Sequence, residues 1–295
     1  MDKAKVYFTK EITPESLIKI YDVLGVDLKG KVGVKVSTGE AGSKGYLKAN
    51  LIEPLVKKVN GTIVECNTAY SGKRNNAKDH MKVAIDHGFD FTDIDIMDAN
   101  GEIKIPVNNG KHLKYDLIGE NFDNYDSYIN LAHGKGHAMG GFGANLKNQS
   151  IGFASRKGKA YIHSCGKTES PTLCWVSKHE QEDFIESMAE AAASVSDYIN
   201  SKNKQIVYIT VMNNISLDCD CDAHQGDPVI KDIGIVASLD PVANDQAFID
   251  FIWQTHEDGT SSIQERIDSR KGRHITEYAE SLGLGTTKYE LINID

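Results

Sequence analysis

QIVYITVMNNISLDCDCDAHQGDP, Gln205 to Pro228, decides how this chain is read. Its first eight residues, QIVYITVM, have the apolar character of a buried strand. The next segment, SLDCDCDAHQGDP, is dense in acids and cysteines. A buried strand that delivers a polar loop is the repeating unit of an open α/β sheet, whose ligands bind beyond the carboxyl ends of the strands. The loop sets Cys219 and Cys221 two apart, interleaves Asp218, Asp220 and Asp222, and places His224 three residues on. Neighbouring acids raise a thiol's pKa, so the arrangement suits a bound cation better than a bare reactive thiolate. Thiolate and imidazole are ligands for zinc or iron, and Cys219, Cys221 and His224 are the candidate set. Cysteines at i and i+2 of an extended segment face opposite ways, so they share a metal only if the loop turns. A solvated acidic loop with one buried thiol is the competing reading.

Working outward, the same alternation recurs. AKVYFTK and KVGVKVST read as strands, as do GTIVEC, DFTDIDIMD, GEIKIPV, HLKYDLIG, YDSYINLAH and DIGIVAS. TPESLIKIYDVLG reads as a helix with Thr13 as N-cap, Pro14 in the first turn and Gly25 after the end. Further helices are expected over LIEPLVKKV, with Pro54 in the first turn or kinking it, over NNAKDHMKVAIDHG, and over EDFIESMAEAAASVSDYI. PVANDQAFIDFIWQT follows Asp240 as N-cap. The fold class is α/β: a mainly parallel or mixed sheet with helices on both faces, and with room for two lobes. Residues 1–295 read as one family domain, with a lobe division near residue 125 left open.

The other polar loops also follow strands. GHAMGGFGANLKN has too many glycines for an ordinary helix and is read as a loop. With the preceding residues it offers His133, Lys135 and His137 as candidate catalytic groups and Lys147 and Asn148 as candidate substrate ligands. Glycines let backbone N–H groups approach an anion. The loop TAYSGKRNNAKDH adds Lys73 and Arg74 to the substrate-binding candidates, along with Tyr70 and His80. The glycine turn GEAGSKGY matches neither dinucleotide nor Walker A spacing. His163 and Cys165, in AYIHSCGK, join a site only if the fold brings them there.

The 295 residues carry a formal charge of −9, which argues against a nucleic-acid partner. No apolar run approaches a membrane span and MDKAKVYFTK lacks a signal-peptide core, so a cytoplasmic location is expected, with no membrane partner. Five cysteines, odd in number and scattered, are not expected to form a disulfide framework.

Taken together, GHAMGGFGANLKNQSIGFASRKGK, DCDCDAHQGDPVIKDIGIVASLDPVANDQA and GEAG…TAYSGKRNNAKDH resemble the bacterial and archaeal proteins grouped as domain of unknown function 362, often labelled iron–sulfur centre proteins. The resemblance runs in order along nearly the whole chain. It implies an α/β core and no settled activity. It carries over onto His133, His137, Lys147, Asn148, Cys219, Cys221, Asp240 and Asp245. Many such proteins insert a ferredoxin-like segment with two four-cysteine clusters. Here the corresponding stretch, CGKTESPTLCWVSKHEQ, has only Cys165 and Cys174, so no ferredoxin-type cluster is expected.

The functional expectation is a metal-binding enzyme acting on a small anionic molecule, with zinc or iron as the metal. The alternative is a non-catalytic metal or iron–sulfur carrier that serves a redox partner protein. An enzyme should enclose its site, whereas a carrier should expose its thiolates.

Overall fold

The computed structural model describes residues 3–295. In chain order the elements are β1 (Ala4–Thr9), α1 (Pro14–Asp22), β2 (Val32–Lys35), α2 (Ala49–Lys58), β3 (Gly61–Glu65), α3 (Ala77–Asp86), β4 (Ile94–Ile96), β5 (Glu102–Pro106), β6 (Tyr115–Gly119), β7 (Ser127–His133), β8 (Lys135–His137) and β9 (Gly141–Gly143). There follow α4 (Asn145–Phe153), α5 (Arg156–His163), α6 (Gln181–Ser201), β10 (Gln205–Met212), β11 (Gly234–Ser238), α7 (Pro241–Gln254), α8 (Thr260–Ser269), α9 (His274–Ser281) and β12 (Tyr289–Asn293).

Eight strands form one sheet in the order β12-β1-β11-β10-β7-β2-β3-β4, drawing on segments from both sides of residue 125. Every neighbouring pair is parallel except the two that involve β11. Helices cover both faces. Val207, Ile209 and Val211 of β10 pack with α1 and α2 residues such as Leu17, Ile20 and Leu55. Met212 and Val236 pack on the other side with α6 and α7 residues such as Phe184, Met188 and Phe248. Burial on both faces explains why these strands read as continuous apolar runs rather than alternating ones.

Local signals explain most element ends. Thr13 and Ser16 form a reciprocal capping box at α1. Asp240 accepts from the Val242 and Ala243 N–H groups at the start of α7. Pro54 lies inside α2, which starts at Ala49, and so beyond its first turn. DFTDIDIMD divides into a 3-10 turn at Phe89–Phe91 followed by β4. The strands β5 and β6 pair with each other, outside the main sheet.

The order of the strands places the site. From β2 the chain moves through β3 to β4 on one side, then starts again with β7 and β10 on the other. The connections reverse direction between β2 and β7, and a crevice opens beyond the carboxyl ends of strands at such a point.

Candidate active-site cavity

A cavity of about 590 Å³ lies at that reversal. The loops after β2, β3, β7 and β10 all line it, contributing Ser37, Glu40 and Ala41, Thr68 to Arg74, His137 to Met139 with Lys147 and Asn148, and Asp218, Cys219 and Cys221 to Ala223. The four loops singled out in the sequence therefore meet in one place.

Asp220 holds them together. Its carboxylate is 1 % exposed and accepts from His133 Nδ1 at 2.8 Å and from Lys135 Nζ at 2.9 Å. Burial alone would raise this carboxyl, but Lys135 and His133 overcome it and hold it below the usual carboxylate range. Its backbone carbonyl accepts from Glu40 N–H, which ties in the loop after β2. Gln225 adds bonds to Ser43, Gly45 and Ser216. Gly136 donates its N–H to the Ser216 carbonyl, and a Cβ at Gly136 would lie 2.4 Å from the Leu217 carbonyl oxygen, so only glycine allows this approach.

A second buried network organises the opposite wall. Lys35, at the end of β2, donates to Glu65, Asn148 and the Val36 carbonyl. Glu65 also accepts from Arg74 at 3.2 Å and from the backbone and hydroxyl of Thr38. Burial would raise its carboxyl, yet Lys35 and its other partners hold it well below the ordinary value. Lys159 donates to the carbonyls of Ala154 and Cys66. Arg74 is 3 % exposed and gives one guanidinium nitrogen to Glu65 and one to the Tyr70 hydroxyl. Among the described residues its Nε has no hydrogen-bond partner, and it forms a long ion pair with the Glu40 carboxylate at 3.8 Å.

Lys147 stands apart. It lies near the start of α4 and lines the cavity, and among the described residues its Nζ has no hydrogen-bond or ion-pair partner. Burial, reinforced by the neighbouring Lys135, lowers its pKa to about 7. Helix α4 is itself anchored by Asp245, whose carboxylate accepts from the Asn145 and Leu146 N–H groups.

The two histidines on the cavity wall present opposite faces. His137 Nδ1 accepts from the Met139 and Gly140 N–H groups, so its proton sits on Nε2. Burial, with Lys147 nearby, drives its pKa well below the ordinary value and keeps the ring neutral. His163 Nδ1 donates to the Lys159 carbonyl, which leaves the lone pair on Nε2. Burial lowers its pKa to about 4. Near neutral pH one ring therefore offers a donor and the other an acceptor.

Several assignments change. His133 is not a free base: Nδ1 faces Asp220 and Nε2 donates to the Asn213 carbonyl at 2.6 Å. Lys135 is committed to Asp220. Both side chains are taken up in holding Asp220. The Asn148 amide is taken up by Lys35 and Asn130. Lys73 is exposed at the cavity rim. His224 is exposed and outside the cavity wall, because its loop turns it outward with its N–H on Asp222. The loop does turn at the cysteines, but Cys219 and Cys221 are joined to each other as a disulfide rather than standing as the two ligand thiolates that were expected. Cys165 packs in the core, and only His163 of AYIHSCGK reaches the cavity.

His137, Cys219 and Cys221 carry ligand atoms within 4.8 Å of one another. The donor set does not fit a metal in this form. The sulfurs are bonded to each other, and the His137 Nδ1 lone pair is occupied by two N–H groups. A second group, His112, Asp183 and Glu186, lies away from the cavity, and Lys111, His112 and His274 already satisfy Glu186.

The sequence reading missed Lys35, Glu65 and Lys159. A usable signal existed for the first two: each is a charge inside or closing an otherwise apolar strand, where an unpaired charge would be costly.

The family described as Domain of unknown function (DUF362) matches residues 32–250. No curated protein matches the chain. Among solved structures the chain is similar to the lactate racemase apoprotein from Thermoanaerobacterium thermosaccharolyticum, at 13 % identity and a TM-score of 0.45, over 84 % of this chain and 57 % of that one. It is also similar to a structural-genomics target from Thermotoga maritima, at 12 % identity and a TM-score of 0.41, over 92 % of this chain and 59 % of that one. The chain thus spans less than two thirds of either protein. Among the described residues, no helix is long and apolar enough to cross a membrane.

Proposed function

The chain belongs to the DUF362 family, and we propose that it is an enzyme acting on a small anionic molecule held in this cavity. One observation carries the reading. Lys35, Lys135 and Lys159 are each committed to oxygen partners, whereas among the described residues Lys147 Nζ has none, and Arg74 on the same wall leaves its Nε without a hydrogen bond, 3.8 Å from the Glu40 carboxylate. Lys147 is half-buried, and an amine there without a counter-charge, beside a second cation on the same wall, attracts an anion.

In this reading Arg74 binds the substrate's anionic group. Lys147, with its pKa near neutrality, takes up or gives a proton at the reacting centre. His137 Nε2–H donates to a substrate oxygen and His163 Nε2 accepts. Asp220, Glu65, His133 and Lys135 fix the walls. Enclosure favours an enzyme over a carrier: Cys219 is buried and Cys221 half-buried, and both face the cavity.

Calorimetric titration with oxalate, malonate, pyruvate and phosphate tests this. At least one should bind, with affinity falling about tenfold or more in Lys147→Met or Arg74→Met, which corresponds to one lost charged contact. Failure of all four to bind, or unchanged affinity in the folded Lys147→Met protein, would refute it.

The convergence of His137, Cys219 and Cys221 favours a second reading, in which the reduced thiolates take a soft metal such as zinc or iron. Zinc uptake should then require prior treatment with a phosphine reductant. Stoichiometric zinc in a double Cys219→Ser, Cys221→Ser protein would remove this reading.

A further inference from the structure

The geometry points to a covalent role for Lys147: we infer that its amine forms an imine with the carbonyl of a small 2-oxo acid. This rests on the cavity reading above and names the substrate class. Three features converge on that class. Lys147 Nζ is an amine without a hydrogen-bond partner among the described residues, so no contact must be broken before it attacks. Arg74, held by Glu65 and Tyr70, has an Nε that makes no hydrogen bond among the described residues and lies 3.8 Å from Glu40, so its donor is open to a substrate carboxylate. His137 presents a neutral Nε2–H, fixed by two backbone N–H groups on Nδ1, and a neutral donor suits a neutral carbonyl oxygen. A molecule that carries a carboxylate beside a carbonyl offers a partner to each of these three cavity-lining residues.

The step balances without a further reactant. The neutral amine nitrogen attacks the carbonyl carbon and forms the C–N bond. The amine's two protons pass to the former carbonyl oxygen, which leaves as water, and a C=N bond remains. His163 Nε2, whose lone pair is left free by its Nδ1–H bond to Lys159, is the cavity group suited to carry a proton from nitrogen to oxygen. Lys35 and Lys159 are excluded as nucleophiles because each already donates to oxygen acceptors.

The full chain is incubated near neutral pH with sodium cyanoborohydride and pyruvate or, separately, glyoxylate. Intact-mass and peptide analysis follow, with oxalate as a carbonyl-free competitor. One reduced adduct per chain is expected, on Lys147, formed at least about tenfold faster than on any other lysine, slowed by oxalate and absent in Lys147→Arg. Circular dichroism establishes that Lys147→Arg is folded. Arg74→Lys, which keeps the charge but loses the forked geometry, should lower the adduct yield without moving its site. Adducts spread over several lysines, or one that persists in Lys147→Arg, would overturn the imine. Calorimetric binding of pyruvate or oxalate with no adduct would overturn it while leaving the anion cavity standing. Absence of both would overturn both.

Discussion

Asp220 accepts from His133 and Lys135, residues 87 and 85 positions away in sequence. The chain around SLDCDCDAHQGDP shows three acids that look alike, and only the fold distinguishes the buried middle one from Asp218, on Arg266, and from exposed Asp222. The same blindness made His133 and Lys135 look catalytic: residue type is legible, but whether a polar group is already satisfied depends on a distant partner. Asp220→Asn leaves a buried lysine without its counter-charge and should destabilise the protein by about 3–5 kcal/mol in urea unfolding. Because its folded-state pKa is depressed, Asp220 contributes stability above the unfolded carboxylate pKa, and that stability is lost as pH falls through the folded value. Lys147 works the other way. Its folded pKa, about 7, lies below the ordinary 10.5, so between those values the unfolded chain binds more protons and stability rises with pH. Lys147→Met should therefore melt at a higher temperature than the parent below pH 7, with the gap closing as pH rises toward 10.5. A gap of the opposite sign would show that the amine is not desolvated.

At the scale of elements, the glycine-rich stretch expected to be a loop is a hairpin, β8 and β9, running into helix α4. Its helix was illegible because NLKNQSIGF holds Asn, Ser and Gly, poor interior residues, while its N-terminal cap comes from Asp245, 99 and 100 residues on. Asp245→Ala should cost about 1–2 kcal/mol, the range of a lost cap, and should weaken anion binding by loosening the turn that carries Lys147. Helices with their own local caps, α1 and α7, were readable, because Thr13 and Asp240 sit where their helices begin. Gly136 has a different importance. Gly136→Ala drives a methyl into the Leu217 carbonyl, so it should cost about 1–3 kcal/mol and increase hydrogen exchange in both the 135–143 hairpin and the 216–226 loop. Exchange confined to the hairpin would show that the two are not coupled there.

For the whole molecule, the alternation of apolar runs with amphipathic segments was enough to read an α/β sheet with helices on both faces. The gathering of four loops at one end also followed, since each comes after a strand. DIGIVAS was read as a strand, but its antiparallel direction as β11 was not, nor was the closing strand β12, because strand direction and edge pairing depend on packing across the whole sheet. That architecture leaves one cavity wall carrying Lys147, a half-buried amine without a hydrogen-bond or ion-pair partner among the described residues. Competitive labelling with trace acetic anhydride across pH, read lysine by lysine by mass spectrometry, measures it directly. Lys147 should titrate with a midpoint of about 7 and become slower to label when an anion occupies the cavity. If Lys147 instead labels in step with the exposed lysines at every pH, with or without anion, the amine is solvated or paired and the account of the cavity is contradicted.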